Sequence, residues 1–265
     1  MSKQKTVLIT GAAGDLGSAF CHKFAEENYR VCLVDINKEK VEIVCNSLKN
    51  QNLNHFVIWD CDISKISGVD LLFQKIPNDC LIKVLINNAA GNSKFYSHSD
   101  TVEERWDKTM NNDLKHIYLL TERVVVSMRD FGGSVINISS IAGNIIGSKS
   151  IPYAAAKSAI TGLTKSFARV YGKYGIRVNS ILPGVIANER TIEADSTGYF
   201  SQIKNQTPLN RWGNSLEIAE AAYFISSDKC SFLNGSNIVI DGGATLTLGQ
   251  RIDEEIPFKW EKFHQ

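Results

Sequence analysis

The sequence predicts an α/β fold: one domain holding a doubly wound sheet of about seven parallel strands, with helices on both faces. Three observations predict it. Short β-branched runs alternate with longer amphipathic segments, as repeated strand-helix-strand units require. Most of these runs are nearly continuously apolar, which suits strands buried on both faces. A chain of 265 residues with 43% hydrophobic content can also bury a sizeable core.

The elements follow in order. "TVLIT" is the first strand, closed by a glycine-rich turn from which a helix near 16–28 starts. "RVCLVD" ends at Asp35, before a helix near 38–50, and "HFVIWDCD" runs to Asp62, before a helix near 66–75. "KVLINNA" is the fourth strand, followed by a long helix near 102–130. "GSVINISS" ends at Ser140 and leads to a helix near 151–172. "IRVNSILPG" closes on Pro183 and Gly184, and "SNIVIDGG" is the last strand, after a helix near 215–227. Two segments stand outside the alternation: a loop-rich insertion at about 187–214 and a tail at about 244–265, whose Phe258, Trp260 and Phe263 suggest packing on a neighbouring subunit or over the site.

Composition narrows the function. With 29 Lys and Arg against 28 Asp and Glu the net charge is +1, too little to draw in nucleic acid or an anionic membrane, so a small-molecule partner is expected. No run approaches the roughly 18 apolar residues of a membrane span, and the charged "MSKQKT" leads straight into a strand. A cytoplasmic location is expected. The six cysteines form no C-x-x-C pair and the five histidines lack metal-ligand spacing, so reduced thiols and no metal are expected.

The turn "TGAAGDLG" places Gly11, Gly14 and Gly17 between a strand and a helix start. Such a helix directs unpaired N–H groups and a partial positive charge beyond the end of the strand, where a pyrophosphate fits. Gly11 allows the sharp turn, Gly14 or the small Ala12 and Ala13 allow close approach, and Gly17 lets the helix pack on the sheet. Asp15 and Leu16 complete the expected phosphate loop. Asp35, eighteen residues after Gly17 and followed by Ile36, stands where a carboxylate accepts from an adenosine ribose and repels a 2′-phosphate. NAD(H) is therefore expected in preference to NADP(H). In "SSIAGNIIGSKSIPYAAAK", Tyr153 and Lys157 lie four apart and share a helix face. An ammonium close to a phenol favours the phenolate, so Tyr153 can exchange a proton with an alcohol or carbonyl oxygen. Ser140, thirteen residues earlier, can hydrogen-bond the same oxygen.

Together these residues resemble the short-chain dehydrogenase/reductase family in its single-domain, Rossmann-like branch, from Thr6 to about Gly243. "DCDI" is similar to the family's adenine-contacting turn, at Asp62 and Ile63. "NNAAG" is similar to the element after the fourth strand, with Asn88, Ala89 and Ala90 along the cofactor. The resemblance implies that Ser140 orients the substrate, Tyr153 is the acid/base, and Lys157 assists Tyr153 and binds the nicotinamide ribose. Pro183, Gly184, Ile186 and Asn188 are implied to flank the nicotinamide. Aligning "WDKTMNNDLKHIYLLTE" puts Asp113 where the family has an asparagine that kinks a helix and whose backbone carbonyl holds a relay water; after a register shift Asn112 takes that place. The glycine spacing resembles the longer, sugar-modifying branch, Ala90 replaces a glycine, and Asn188 replaces a threonine whose carboxamide contact an Asn amide can also make.

The polar insertion, with Arg190, Tyr199 and Lys204, suits a hydroxylated or anionic substrate, and Arg190 is the expected substrate contact there alongside Ser140 and Tyr153. The expected activity is hydride transfer between a secondary alcohol and a ketone on a polar, sugar-like compound. A 3-oxoacyl thioester reductase is the alternative, and a non-catalytic NAD(H) sensor is the alternative of another class. The long helices near 102–130 and 151–172 resemble those that join family members into homodimers or homotetramers.

Overall fold

Successive residues of a strand point to opposite faces, so the run Val7-Leu8-Ile9 needs apolar cover on both sides of the sheet. The computed structural model, which describes residues 3–90, 100–144, 148, 150–188 and 198–246, provides it. Strands β1 (Gln4–Thr10), β2 (Arg30–Val34), β3 (His55–Ile58), β4 (Cys80–Asn87), β5 (Gly133–Ile138), β6 (Ile176–Pro183) and β7 (Asn237–Ile240) form one seven-stranded sheet in the order β3-β2-β1-β4-β5-β6-β7. Every pairing is parallel.

Helices α1 (Asp15–Glu26), α2 (Lys38–Asn50) and α3 (Ile66–Lys75) follow the first three strands. After β4 come α4 (Val102–Met110), a π-helical turn (Asn111–Lys115) and α5 (His116–Met128). The short α6 (Ile141–Asn144) and the long α7 (Ile151–Tyr171) follow β5, and α8 (Tyr199–Gln206) and α9 (Ser215–Ser226) follow β6. Val7 and Ile9 pack with Phe20 and Phe24 of α1, Val41 and Leu48 of α2, and Ile218 of α9. Leu8 faces the other way, with Val69 and Leu72 of α3, Leu120 and Val124 of α5, and Phe167 of α7. Each such side chain, fully buried, contributes about 1.5–3 kcal/mol.

Three expectations are corrected. The helix expected over 102–130 is interrupted by the π turn, which inserts a residue without ending the helical pattern. The third strand ends at Ile58, because its pairing with β2 stops at Val34↔Ile58 and Asp60 turns out to meet Lys75. The loop-rich insertion expected at 187–214 carries a helix that was not expected, α8, which starts directly after Gly198 at φ +68.

Candidate active site

In the strand order, β1 and β4 are neighbours while the connections after them wind in opposite directions, and a crevice opens beyond their carboxyl ends. Its two walls are tied together. The Thr10 hydroxyl accepts from the backbone N–H groups of Asn88 and Ala89, each at 3.0 Å, and the Asn88 amide donates to the carbonyls of Thr10 (3.0 Å) and Gly11 (3.1 Å). Between the walls lies a cavity of about 610 Å³, lined by Gly11, Ala13, Gly14, Asp15, Leu16 and Gly17 of the loop and by Asp35 and Ile36 after β2. Asp62, Ile63, Asn88, Ala89, Ala90 and Asn188 complete the expected lining. Asn37, Lys40 and Ser64 were not expected at one end, nor Asn111 and His116 at the other, where Asn112, the alternative to Asp113, also lines the cavity. Chain adjacency to Asp35 and Asp62 signals the first group. Nothing local signals His116.

The loop's glycines differ in what they permit. A Cβ on Gly17 would lie 2.0 Å from the Gly11 carbonyl oxygen, so any side chain there forces the turn apart. A Cβ on Gly14 would meet only that oxygen, at an ordinary 3.5 Å; packing within the protein does not demand glycine there. Gly14 is also the N-cap of α1 and makes no side-chain cap, which leaves first-turn N–H groups for a ligand. Ala12, expected as a possible approach point, is instead buried in the core. The Asp35 carboxylate accepts from the N–H of Ala13 (2.8 Å) through one oxygen and from that of Asn37 (2.9 Å) through the other. Each oxygen keeps a further acceptor site for a ribose hydroxyl. A bare helix N-terminus and a fixed carboxylate at the expected spacing fit a dinucleotide.

On α7, Pro152 sits in the first turn, where its missing N–H costs nothing, and Tyr153 follows it. Lys157, one turn on, is 3% exposed. Its Nζ donates to the Ile138 carbonyl at 3.0 Å and stands 5.7 Å from the centroid of the Tyr153 ring. The two serines after β5 separate in role. Ser139 is buried and donates to the Lys157 carbonyl at 2.7 Å, whereas the Ser140 hydroxyl, less buried, accepts from the Ala142 N–H at 3.1 Å. Asp113 is fully buried in the π turn. His116 follows it, buried, with one ring nitrogen hydrogen-bonded to the Asn112 backbone; burial first, and the Lys157 charge second, push its pKa down to about 3.

Some expected residues do not line the cavity, Ser140, Tyr153, Lys157 and Asp113 among them. Pro183, which ends β6, and Gly184 and Ile186, just after it, do not line the cavity, and Ile186 packs into the core. Arg190 lies outside the described residues. Among the described residues no group of His, Cys, Asp or Glu could hold a metal ion, and no helix is long and apolar enough to cross a membrane. The six cysteines form no disulfide.

A family model described as enoyl-(acyl carrier protein) reductase matches residues 11–245. An uncharacterized oxidoreductase, YxbG, of Bacillus subtilis is 33% identical over 98% of this chain and 97% of its own. The chain belongs to the short-chain dehydrogenase/reductase family. This short-chain dehydrogenase/reductase is 32% identical to an NAD-dependent glycerol dehydrogenase of Listeria innocua, over 91% of this chain and 94% of the relative. It is 31% identical to the 3-oxoacyl-[acyl-carrier-protein] reductase FabG of Staphylococcus aureus, over 92% and 99%. The solved structure of a short-chain type dehydrogenase/reductase from Mycobacterium ulcerans superposes with a TM-score of 0.84 at 25% identity, covering 93% of this chain and 92% of that one. The chain is thus an oxidoreductase of a family that uses nicotinamide cofactors and small-molecule substrates.

Proposed function

We propose that this enzyme interconverts a secondary alcohol and a ketone with NAD(H), on a polar hydroxylated substrate, with Tyr153 as the acid/base. The observation that carries this reading is Lys157. A buried ammonium is costly without a counter-charge, and no carboxylate of a described residue forms a salt bridge with it. It sits instead beside the ring of Tyr153, where its charge supports a developing phenolate.

Bound along the cavity, a nicotinamide supplies or takes up the hydride. The chain's own residues manage the proton. In ketone reduction the Tyr153 O–H bond breaks as its proton passes to the substrate oxygen, and Lys157 stabilises the phenolate left behind. Ser140 donates a hydrogen bond to the same oxygen and holds it in line. Asp113 is the better candidate than Asn112 for the carbonyl that holds a relay water, because the His116 ring takes up the backbone of Asn112. Gly11, Gly14 and the first turn of α1 would receive the pyrophosphate, and Lys157 the nicotinamide ribose.

Asp35 supports NAD(H), since a carboxylate already fixed by two N–H groups would face a 2′-phosphate with its charge. The NAD-dependent glycerol dehydrogenase relative agrees with that choice and with a hydroxylated substrate. The FabG relative favours a second reading, a 3-oxoacyl thioester reductase.

The test is fluorescence titration with NADH and NADPH, then turnover of polyols, sugars and 3-oxoacyl thioesters by the wild type and Tyr153→Phe. The expected outcome is tighter binding of NADH, turnover of a hydroxylated compound, and a loss of roughly 100-fold or more in the variant with NADH affinity unchanged. Preference for NADPH with thioester turnover would transfer the assignment to the second reading.

A further inference from the structure

His116 opens α5 and lines the cofactor cavity, yet the chemistry proposed above leaves it without a task. It is 1% exposed, and its Nε2 has no hydrogen-bond partner among the described residues. A buried acceptor in that state calls for a ligand, a water or a catalytic purpose.

The ring's tautomer follows from its surroundings. The nitrogen that meets the Asn112 backbone is Nδ1, since Nε2 is the one without a partner. Opposite a carbonyl Nδ1 must carry the hydrogen, which leaves Nε2 as a lone pair. The charge that acts on the ring is Lys157, reaching in from α7; Asp113 stands three residues earlier in the adjoining π turn, and the Tyr153 ring lies beside Lys157. Lys157 has three N–H groups and spends one on the Ile138 carbonyl. No direct hydrogen bond joins it to His116, so one water is the natural bridge.

We propose that His116 is a positioning residue whose Nε2 accepts a hydrogen bond, through one water, from the Lys157 ammonium and so aims that ammonium at Tyr153 and the cofactor ribose. With its pKa pushed down to about 3, the ring stays neutral and accepts a hydrogen bond without taking the proton. The proton that reprotonates Tyr153 after ketone reduction therefore comes along the Lys157 side, with His116 holding the geometry. This inference rests on the Tyr153 and Lys157 chemistry proposed above.

Two variants test it. His116→Gln places an amide oxygen near the position of Nε2, whereas His116→Asn reaches only as far as Nδ1. In His116→Asn, kcat is expected to fall about tenfold and the acidic limb of its pH profile to move, with the substrate KM within about twofold. His116→Gln should restore most of the rate and the original profile. An unchanged rate in both variants, or an equal loss in both with the profile unmoved, would overturn the proposal. A readout without turnover is 15N NMR of the imidazole rings: wild type should show His116 as the Nδ1–H tautomer, with an Nε2 signal that shifts in Lys157→Met. An Nε2–H tautomer would refute the idea even if neither His116 variant folds. If Tyr153→Phe keeps its activity, the underlying function fails instead, and the NMR result still decides the His116 to Lys157 link.

Discussion

A histidine buried as a neutral ring makes stability depend on pH, and His116 is placed to show it. In the unfolded chain its pKa is about 6.5, and in the native protein burial and the Lys157 charge hold it near 3. Between those values the unfolded chain binds a proton that the native protein refuses. The stabilisation is therefore complete above about pH 6.5 and is lost as pH falls toward 3, by at most about 1.4 kcal/mol per pH unit. Glu217, held down to about 2 by Arg211 and the Asn214 N–H, pulls in the same direction only below its ordinary range, and both partners are exposed enough for solvent to screen the pair. Urea unfolding at pH 7.5 and pH 5 should show wild type losing about 1–2 kcal/mol more than His116→Gln between the two pH values. Equal losses would mean that the imidazole is already charged at pH 5.

The glycine turn before α1 separates folding from binding within a single element. Gly17→Ala drives a Cβ against the Gly11 carbonyl at 2.0 Å, and because the obstacle is backbone, the turn itself must open. A loss of about 2–3 kcal/mol and weakened NADH binding are expected together. Gly14→Ala meets nothing closer than 3.5 Å, and the native φ of −79° suits alanine. Stability should hold or rise by about 0.4–1 kcal/mol while NADH affinity falls, because the methyl occupies cofactor space. Thermal melts beside NADH titrations check both variants, and a Gly14→Ala protein that binds normally would move the pyrophosphate elsewhere. This loop was legible in the sequence because a strand, a turn and a helix start sit within one short window. Asp35 was legible too, as the last residue of the next strand run. The interruption of the long helix was legible only through the family resemblance, which puts a helix-kinking residue at Asp113, since a π turn adds a residue while leaving the run of helix-forming residues unbroken. His116 was missed for a related reason: its setting depends on Lys157, which reaches it from another helix across the fold. The two serines after β5 read alike in one dimension, and only the packing of β5 against α7 distinguishes Ser139 from Ser140.

At the scale of the molecule, apolar surface left on the helical face bears on assembly. Tyr118 and Val126 of α5 lie on one stripe, exposed by 48% and 65%, and Val170 of α7 is exposed by 54%. The Tyr118 ring stacks on Phe167, and Phe167 on Tyr171, at 6.0 Å in each case, so the surfaces of α5 and α7 are continuous. A net charge of +1 gives little self-repulsion to keep copies apart. We therefore expect a homodimer or homotetramer joined through α5 and α7. Light scattering on wild type should give a mass of two or four chains, and Val126→Glu with Val170→Glu should reduce it, because a carboxylate buried at such a seam has no partner. A wild type that stays monomeric at micromolar concentration would refute this arrangement. The dissociated variant should still bind NADH with near wild-type affinity, since neither valine lines the cavity. Loss of binding on dissociation would mean that the partner subunit completes the cavity.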